Sequence, residues 1–278
     1  MSNNYYCLIA GIPEFTFDQK KLIFKPAELK EYLKDTLQSS DYKVLCNLFY
    51  EFDNSNILHL ISQGHEANNE DYKTWFNTLS NHTYDELVMA TREADEISTP
   101  YIRNFFEEYN NSEKKTDILH WEKHLTQLYY NHLQKCNNKL LKDWFAFDFT
   151  LKNVITAIIS RAHSLSSEEQ MIINSEMLQN IAKSNAKDFG IAVDWPMVSK
   201  VVNIFEETNL LKREEAIDML KWNWLDEATT FEYFSFEVVI TIVLKLRIIE
   251  RWSNADPEKG KALFVNLLEQ IKESGKIK

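Results

Sequence analysis

Histidines on one predicted helix are the first residues whose type and spacing suggest chemistry. His120 and His124 are one helical turn apart, and His132 follows two turns later. Two histidines at positions i and i+4 can share a metal ion from one helix face. Glu122 falls on another face, so the third ligand that such a site requires is missing. We expect no metal here and keep a helical-bundle metalloenzyme only as a third hypothesis.

Motifs for catalysis and phosphate binding are missing from the sequence as well. Acidic pairs such as Glu107-Glu108 are neighbours on predicted helices, so their carboxylates point apart rather than across a cleft. Gly260-Lys261-Ala262 lacks the upstream glycine and the hydroxyl residue of a Walker loop. The cysteines have no histidine partner in a local signature. We therefore expect no catalytic centre, no cofactor and no bound nucleotide.

Charged residues embedded in apolar helical stretches are the remaining candidates. They are Asp148 and Arg161 in one stretch, and Glu237, Arg247, Glu250 and Arg251 in another. Burying a charge costs free energy unless the charge is paired. Two interpretations stay open. Either these side chains reach the surface, or Asp148 and Glu237 are buried and each binds one of the arginines from a neighbouring helix.

Composition predicts an all-α fold for the 278 residues. Hydrophobic residues make up 44% and aromatic residues 13%, which is enough for a packed core. Only five Gly and five Pro are present, and this scarcity favours long helices joined by short polar loops. Apolar residues three or four positions apart predict about ten to twelve helices. The β-branched run 238–244 is assigned to a helix because its apolar continuation is too long for one strand.

A repeated hexamer predicts internal duplication. Residues 143–148 and 232–237 match acid for acid, aromatic for aromatic and small for small, and each opens a long apolar stretch. Repeated units bury in neighbouring copies the face that one copy leaves exposed. We expect helices 143–161 and 232–251 to be equivalent, with each hexamer packed inward; coincidence is the alternative. The predicted organisation is a single all-α domain, 1–278, with sub-bundles 1–110, 111–165 and 166–278.

Charge and cysteine usage bear on partners and location. The formal net charge is −11 and no basic cluster is visible, so nucleic acid is not an expected partner. Cys7, Cys46 and Cys136 lie far apart, which fits reduced thiols in a cytosolic protein. The most apolar segment, 234–249, contains charged residues and is shorter than the roughly 20 residues of a membrane span. We expect a cytoplasmic protein with no span of its own.

The embedded charges also carry a family resemblance. Asp148-Phe149-Thr150-Leu151-Lys152-Asn153-Val154-Ile155, followed by Arg161, is similar to a signature of the C subunit of V-type and A-type ATPases, which is named the d subunit in eukaryotes. Residues 236–252 resemble that family's last long helix, although Leu246-Arg247-Ile248-Ile249 departs from the usual pattern of an acidic residue and Asn before the Arg. A bacterial branch, best known from Bacteroidetes, resembles the chain almost end to end, including Asp188-Phe189-Gly190, residues 217–222 and Glu250-Arg251-Trp252.

This resemblance implies an all-α funnel of three related helical bundles. Such a protein sits on the cytoplasmic face of the membrane rotor ring, holds the foot of the central stalk and transmits torque without catalysis. The residues that the resemblance marks as structural or partner contacts are Asp148, Asn153, Arg161, Glu237, Arg247, Glu250 and Arg251. A free-standing all-α protein-interaction scaffold, unrelated to a rotary motor, is the alternative.

Overall fold

The fold is all-α, as predicted. The computed structural model describes residues 5–19, 22, 24–63 and 72–254, and these residues form fourteen α-helices, two short 3-10 turns and no strand. The helices are α1 (Tyr6–Gly11), α2 (Pro26–Thr36), α3 (Ser39–Leu45), α4 (Tyr50–Gln63), α5 (Tyr72–Trp75), α6 (Tyr84–Arg92), α7 (Pro100–Asn111), α8 (Ile118–Leu133), α9 (Lys139–Ala162), α10 (Ser167–Gln170), α11 (Glu176–Lys183), α12 (Met197–Ile204), α13 (Leu210–Ala228) and α14 (Phe236–Asn254).

Two sequence-based assignments are settled by these bounds. The number of α-helices exceeds the predicted ten to twelve, because single-turn helices such as α5 and α10 are too short to show a periodic pattern. The β-branched run 238–244 lies inside α14, so its assignment to a helix is confirmed. Tertiary packing along the whole of α14 overrides the strand preference of this short run.

The chain divides into two compact units. The terminal unit consists of Met1–Thr36 and Asp218–Lys278, and the central unit consists of Leu37–Ile217. The second boundary falls inside α13, between Ile217 and Asp218. These bounds differ from those of the predicted sub-bundles 1–110, 111–165 and 166–278. The single domain of repeated bundles and the funnel stay predictions.

Helix α9 organises the central unit. It packs against α8, α10, α11 and α12, and its buried residues occur on nearly every side of the helix. The helix begins where the Asn138 side chain accepts a hydrogen bond from the Leu141 amide at 3.0 Å. It ends where Ser164 adopts φ 56° and the Leu165 amide donates to the Ser160 carbonyl at 2.8 Å, which is the pattern of a Schellman cap.

The terminal unit joins residues from both ends of the chain. Helix α2 packs against α14, and the Tyr5 amide donates to the Phe234 carbonyl at 2.8 Å. The Phe17 and Trp222 rings meet edge to face with centroids 5.6 Å apart. The core of this unit is formed by fully or nearly fully buried side chains, among them Leu29, Leu33, Leu225, Val239 and Ile240.

The two hexamers are not structurally equivalent, so that prediction is wrong. Residues 143–148 lie within α9, four residues after it begins, whereas residues 232–235 precede α14. Trp144 is buried, while its counterpart Tyr233 is 71% exposed. Phe145 packs against Tyr129, whereas Phe234 stands in a loop. The matching residue types reflect two amphipathic stretches that adopt different backbone conformations.

The sequence also predicts that the chain has no membrane-spanning segment of its own. Within the part of the chain that the structure describes, no helix combines the length and the apolar character that crossing a bilayer requires. Residues 234–249 fall mostly in α14, which packs inside the terminal unit.

Core packing predicts unequal effects of two substitutions on α8. Leu125 is fully buried and Leu119 is 57% exposed. Leu125→Ala should lower the free energy of unfolding by about 2–5 kcal/mol, because it leaves a cavity. Leu119→Ala should change it by no more than about 0.5 kcal/mol. Urea melts of both variants check this, and equal losses would contradict the packing of α8.

Candidate functional site

Asp148 is a buried charge of the central unit. Its residue is 8% exposed, and its Oδ2 accepts a hydrogen bond from the Tyr130 hydroxyl at 2.7 Å. Lys152 Nζ, one turn along α9, lies 2.9 Å from the same oxygen and donates to the Tyr130 hydroxyl at 2.8 Å. The carboxylate thus joins α9 to α8 and has a cation beside it, which is what burial of a charge requires.

The pKa shifts in this cluster follow from burial and from the Asp148 charge. Burial raises the pKa of Tyr130 well above its ordinary value, and the carboxylate of Asp148 raises it further. Burial lowers the pKa of Lys152, but attraction and hydrogen bonding to Asp148, together with a contribution from Tyr129, outweigh burial, so the net shift of this pKa is upward. Tyr130 therefore stays protonated and Lys152 stays charged at neutral pH, and both remain donors to Asp148.

Asn153 and Arg161 make the other polar contacts of α9. Asn153 is buried; its Oδ1 accepts from the Ile172 amide at 2.9 Å and its Nδ2 donates to the Phe149 carbonyl at 3.0 Å. Arg161 donates to the carbonyls of Ser184 and Ala186 at 2.8 and 2.9 Å. Ser184 is the C-cap residue of α11, so the guanidinium satisfies carbonyl groups at the end of that helix.

Arg161 also covers a strained turn. Its guanidinium carbon lies 4.3 Å from the centroid of the Phe189 ring. Phe189 and Gly190 adopt φ 56° and 72°, and Asp188 Oδ1 accepts from the Gly190 amide at 3.0 Å. A left-handed conformation at a bulky residue costs about 1–3 kcal/mol. Burial of the Phe189 ring, which is 2% exposed, offsets that cost. This contact brings Arg161 onto Asp188-Phe189-Gly190, so two of the segments that carry the family resemblance meet in the structure.

An open groove runs beside these contacts. It has a volume of about 510 Å³ and lies among residues of α8, α9 and α10 and the segment that follows α10. Tyr130, Phe149, Lys152 and Asn153 contribute to its wall, together with the half-exposed Leu119. The wall thus combines apolar side chains with polar ones, among them the paired Lys152, whose side chain is 54% exposed.

Asp218 is the corresponding buried charge of the terminal unit. Its side chain is 6% exposed. Its Oδ2 accepts from Arg251 Nε at 2.9 Å and from Trp252 Nε1 at 2.8 Å, and Arg251 Nη2 lies 2.6 Å away. The carboxylate therefore joins α13 to α14. It connects two of the segments that carry the family resemblance, residues 217–222 and Glu250-Arg251-Trp252.

The other charges on α14 are half-buried. Burial lowers the pKa of Arg247 to about 10, with Glu250 acting in the opposite direction. Burial raises the pKa of Glu250, and Arg247 opposes that shift. Glu237 is half-buried at the first turn of α14, where a negative charge is favoured by the helix dipole.

Asp148 follows the buried interpretation, but its predicted pairing with an arginine of a neighbouring helix is wrong. Its cationic partner is Lys152, on its own helix. Arg161 binds backbone carbonyls, and Arg251 binds Asp218 instead of Glu237 or Asp148. A lysine four positions after an acid is a visible signal that favours an i,i+4 pair. The role of Asp218, one position after the buried Ile217, had no such local signal.

The rings of His120 and His124 stack with centroids 6.3 Å apart, but the histidines of α8 have different further neighbours. His124 Nε2 lies 2.8 Å from Glu108 of α7, while His132 packs against the Tyr50 and Tyr101 rings. Burial lowers the pKa of His132, and Lys135 adds to the effect. Within the described residues, no group of three or more His, Cys, Asp or Glu side chains could hold a metal ion.

A buried Asp–His–Thr arrangement was not foreseen from the sequence. Asp53 Oδ1 lies 2.8 Å from His82 Nδ1, and His82 Nε2 lies 3.1 Å from Thr99 Oγ1. These distances match a hydrolase triad. However, Thr99 is only 5% exposed, and Asp53 also accepts from the amides of Asn81 and His82 at 2.9 Å. These contacts hold the loop before α6 against α4, and they leave the Thr99 hydroxyl buried, away from any substrate in solution.

Comparison with known proteins assigns the chain to a family. Residues 1–275 match the family described as Protein of unknown function (DUF2764). The chain belongs to this family. No curated protein and no solved structure matches it. The roles of the buried acids therefore rest on the contacts described above.

Loss of Asp148 should destabilise the central unit. We expect Asp148→Ala to lower the free energy of unfolding by about 1–3 kcal/mol, because the buried Tyr130 hydroxyl loses its acceptor. Asp143→Ala is the matched control on the same helix, since its pair with Lys139 is exposed and worth about 0–1 kcal/mol. A double cycle with Lys152→Ala measures the coupling. Equal losses for the two aspartates would contradict the assignment.

Loss of Asp218 should destabilise the terminal unit in the same way. Asp218→Ala strands the Trp252 indole and Arg251, and hydrogen bonds to charged groups contribute about 1.5–3 kcal/mol. Asp218→Asn should recover part of this loss, because its amide oxygen still accepts. Glu227→Ala, an exposed acid on the same helix, should cost no more than about 0.5 kcal/mol. Denaturant melts followed by Trp fluorescence measure the free energy of unfolding of the three variants, which should fall most for Asp218→Ala and least for Glu227→Ala.

Proposed function

We propose that this protein is a non-catalytic coupling subunit of a V/A-type rotary ATPase, which links the central stalk to the membrane rotor ring during ATP-driven ion transport. The observation that carries the proposal is the resemblance of residues 148–155, Arg161 and residues 236–252 to the C subunit of these motors. The all-α fold is the fold class that this resemblance implies. In this role the chain would be peripheral to the cytoplasmic membrane, held there by the motor.

The contacts of α9 support a mechanical role. Asp148, Asn153 and Arg161 each bind a different segment: Tyr130 of α8, the Ile172 amide and the Ser184 carbonyl that follows α11. From Asp148 to Arg161 the helix rises about 20 Å. A torsional load on α9 would therefore be passed to neighbouring segments at three points along the helix. A protein that transmits torque needs such fixed polar contacts, because apolar packing alone is non-directional.

The α9 residues that carry the resemblance are also arranged differently from catalytic residues. Asp148 and Asn153 are buried with their polar atoms bonded to protein groups, and Arg161 is bonded to backbone carbonyls. A reacting group needs access to substrate. These residues instead hold elements together, which favours a structural role.

Co-purification tests the proposal directly. The tagged chain is expressed in its native organism, and membranes are solubilised in mild detergent. Stalk and ring proteins of the V/A-type ATPase should be recovered together with the chain. The same tag on an unrelated protein is the control. Recovery of a different protein without motor components would instead support the free-standing scaffold.

Coupling in membrane vesicles provides a second, independent test. Vesicles from cells that lack the chain should retain ATP hydrolysis by the head but lose ATP-driven ion uptake, because torque no longer reaches the ring. Adding back the gene should restore uptake. Unchanged uptake in the deletion strain would overturn the proposal.

A further inference from the structure

Three aromatic side chains of the terminal unit are turned out to solvent. Phe231 is 87% exposed, Tyr233 is 71% exposed and Tyr6 is 58% exposed. Single exposed apolar residues are ordinary on protein surfaces. The three belong to one region of the chain: the rings of Tyr6 and Phe234 meet at a tilted angle with centroids 4.2 Å apart, and Phe231 and Tyr233 come just before Phe234. We call residues 226–237, which comprise the end of α13, the loop after it and the start of α14, together with Tyr6 the aromatic loop.

The aromatic loop is held in place by its own contacts. The buried Tyr5 binds the Phe234 carbonyl through its amide at 2.8 Å, and its ring lies 6.3 Å from that of the buried Phe236. The Thr229 and Thr230 hydroxyls donate to the carbonyls of Leu225 and Asp226 at 2.8 Å. The exposed rings therefore stand on an ordered base. A surface that is already ordered loses less entropy when a partner binds.

The negative charge of the aromatic loop indicates that a partner would carry positive charge. Residues 226–237 contain Asp226, Glu227, Glu232 and Glu237 and no lysine or arginine. Asp226 pairs with Lys245, whereas Glu227 and Glu232 are exposed beside the rings. Aromatic faces attract Lys and Arg cations, and carboxylates form charge-assisted hydrogen bonds with the same groups. Tyrosine and phenylalanine are also enriched at the centres of protein interfaces.

We propose that the aromatic loop docks a basic segment of a partner protein, in which Lys or Arg side chains alternate with apolar ones. The cations lie over the exposed rings and between Glu227 and Glu232, and the apolar side chains cover Phe231 and Tyr233. This assignment follows from exposure and charge, and it holds whether or not the protein belongs to a rotary motor.

Peptide binding to the full-length protein tests the proposal. The probe is a fluorescent synthetic peptide that alternates Lys and Leu, compared with one that alternates Glu and Leu. Phe231→Ser/Tyr233→Ser should weaken binding of the Lys peptide about tenfold, as expected for the loss of two central contacts. Val193→Ser/Leu211→Ser changes two exposed apolar residues of the central unit and should leave binding unchanged.

A second pair of variants separates local charge from the overall charge of −11. Glu227→Gln/Glu232→Gln should weaken binding, and Glu107→Gln/Glu113→Gln, two exposed acids of the central unit, should not. Equal effects of the two pairs would overturn the proposal, because binding would then be unspecific attraction to an acidic protein. Binding of the Glu peptide as tight as that of the Lys peptide would overturn it as well.

Crosslinking identifies the occupant of the loop. A photoreactive residue at position 233 should form crosslinks with the added Lys peptide. Crosslinks to a second copy of the chain, or to residues 255–278 of the same chain, would assign the loop to self-association or to an internal segment and overturn the proposal. Circular dichroism confirms that each variant is folded.

Discussion

The requirement that every buried charge have a polar partner shapes both units. Helix α9 is buried on nearly all sides, so Asp148 and Asn153 are largely shielded from water and need polar partners among neighbouring groups. Asp148 binds Tyr130 and Lys152, and Asn153 binds the Ile172 amide. These bonds are directional, so they fix which face of α9 meets α8 and where the chain after α10 lies. Apolar packing alone would allow more than one arrangement.

The terminal unit uses the same principle with a different acid. Asp218 on α13 binds Arg251 and Trp252 on α14. Asp53 plays the same part in the central unit, where its carboxylate accepts hydrogen bonds from the Asn81 and His82 amides. In each case a buried aspartate joins segments that are distant in sequence. Removal of such a group strands its donors, so we expect substitution at these positions to be destabilising.

The interior and the surface therefore distribute charge differently. Inside, Asp148, Asp218 and Asp53 are each matched with a cation or with backbone donors. Outside, acids such as Glu227 and Glu232 stand beside the exposed rings of the aromatic loop. Directional polar contacts inside and exposed aromatic side chains outside are what a protein that holds other proteins in position would need. The proposed coupling role and the docking of a basic segment both depend on these features.

Residue pattern alone determined the all-α class and the helical state of residues 238–244, because hydrophobic periodicity and the scarcity of Gly and Pro are local properties. Only the tertiary structure decided the partners of the buried acids. Asp218 meets Arg251 because α13 packs on α14, and Asp53 meets His82 because a loop folds back on α4; neither pair has a spacing that local rules detect. The hexamer repeat failed for the same reason. Its two copies have matching residue types, but tertiary packing places one inside a helix and the other in a loop.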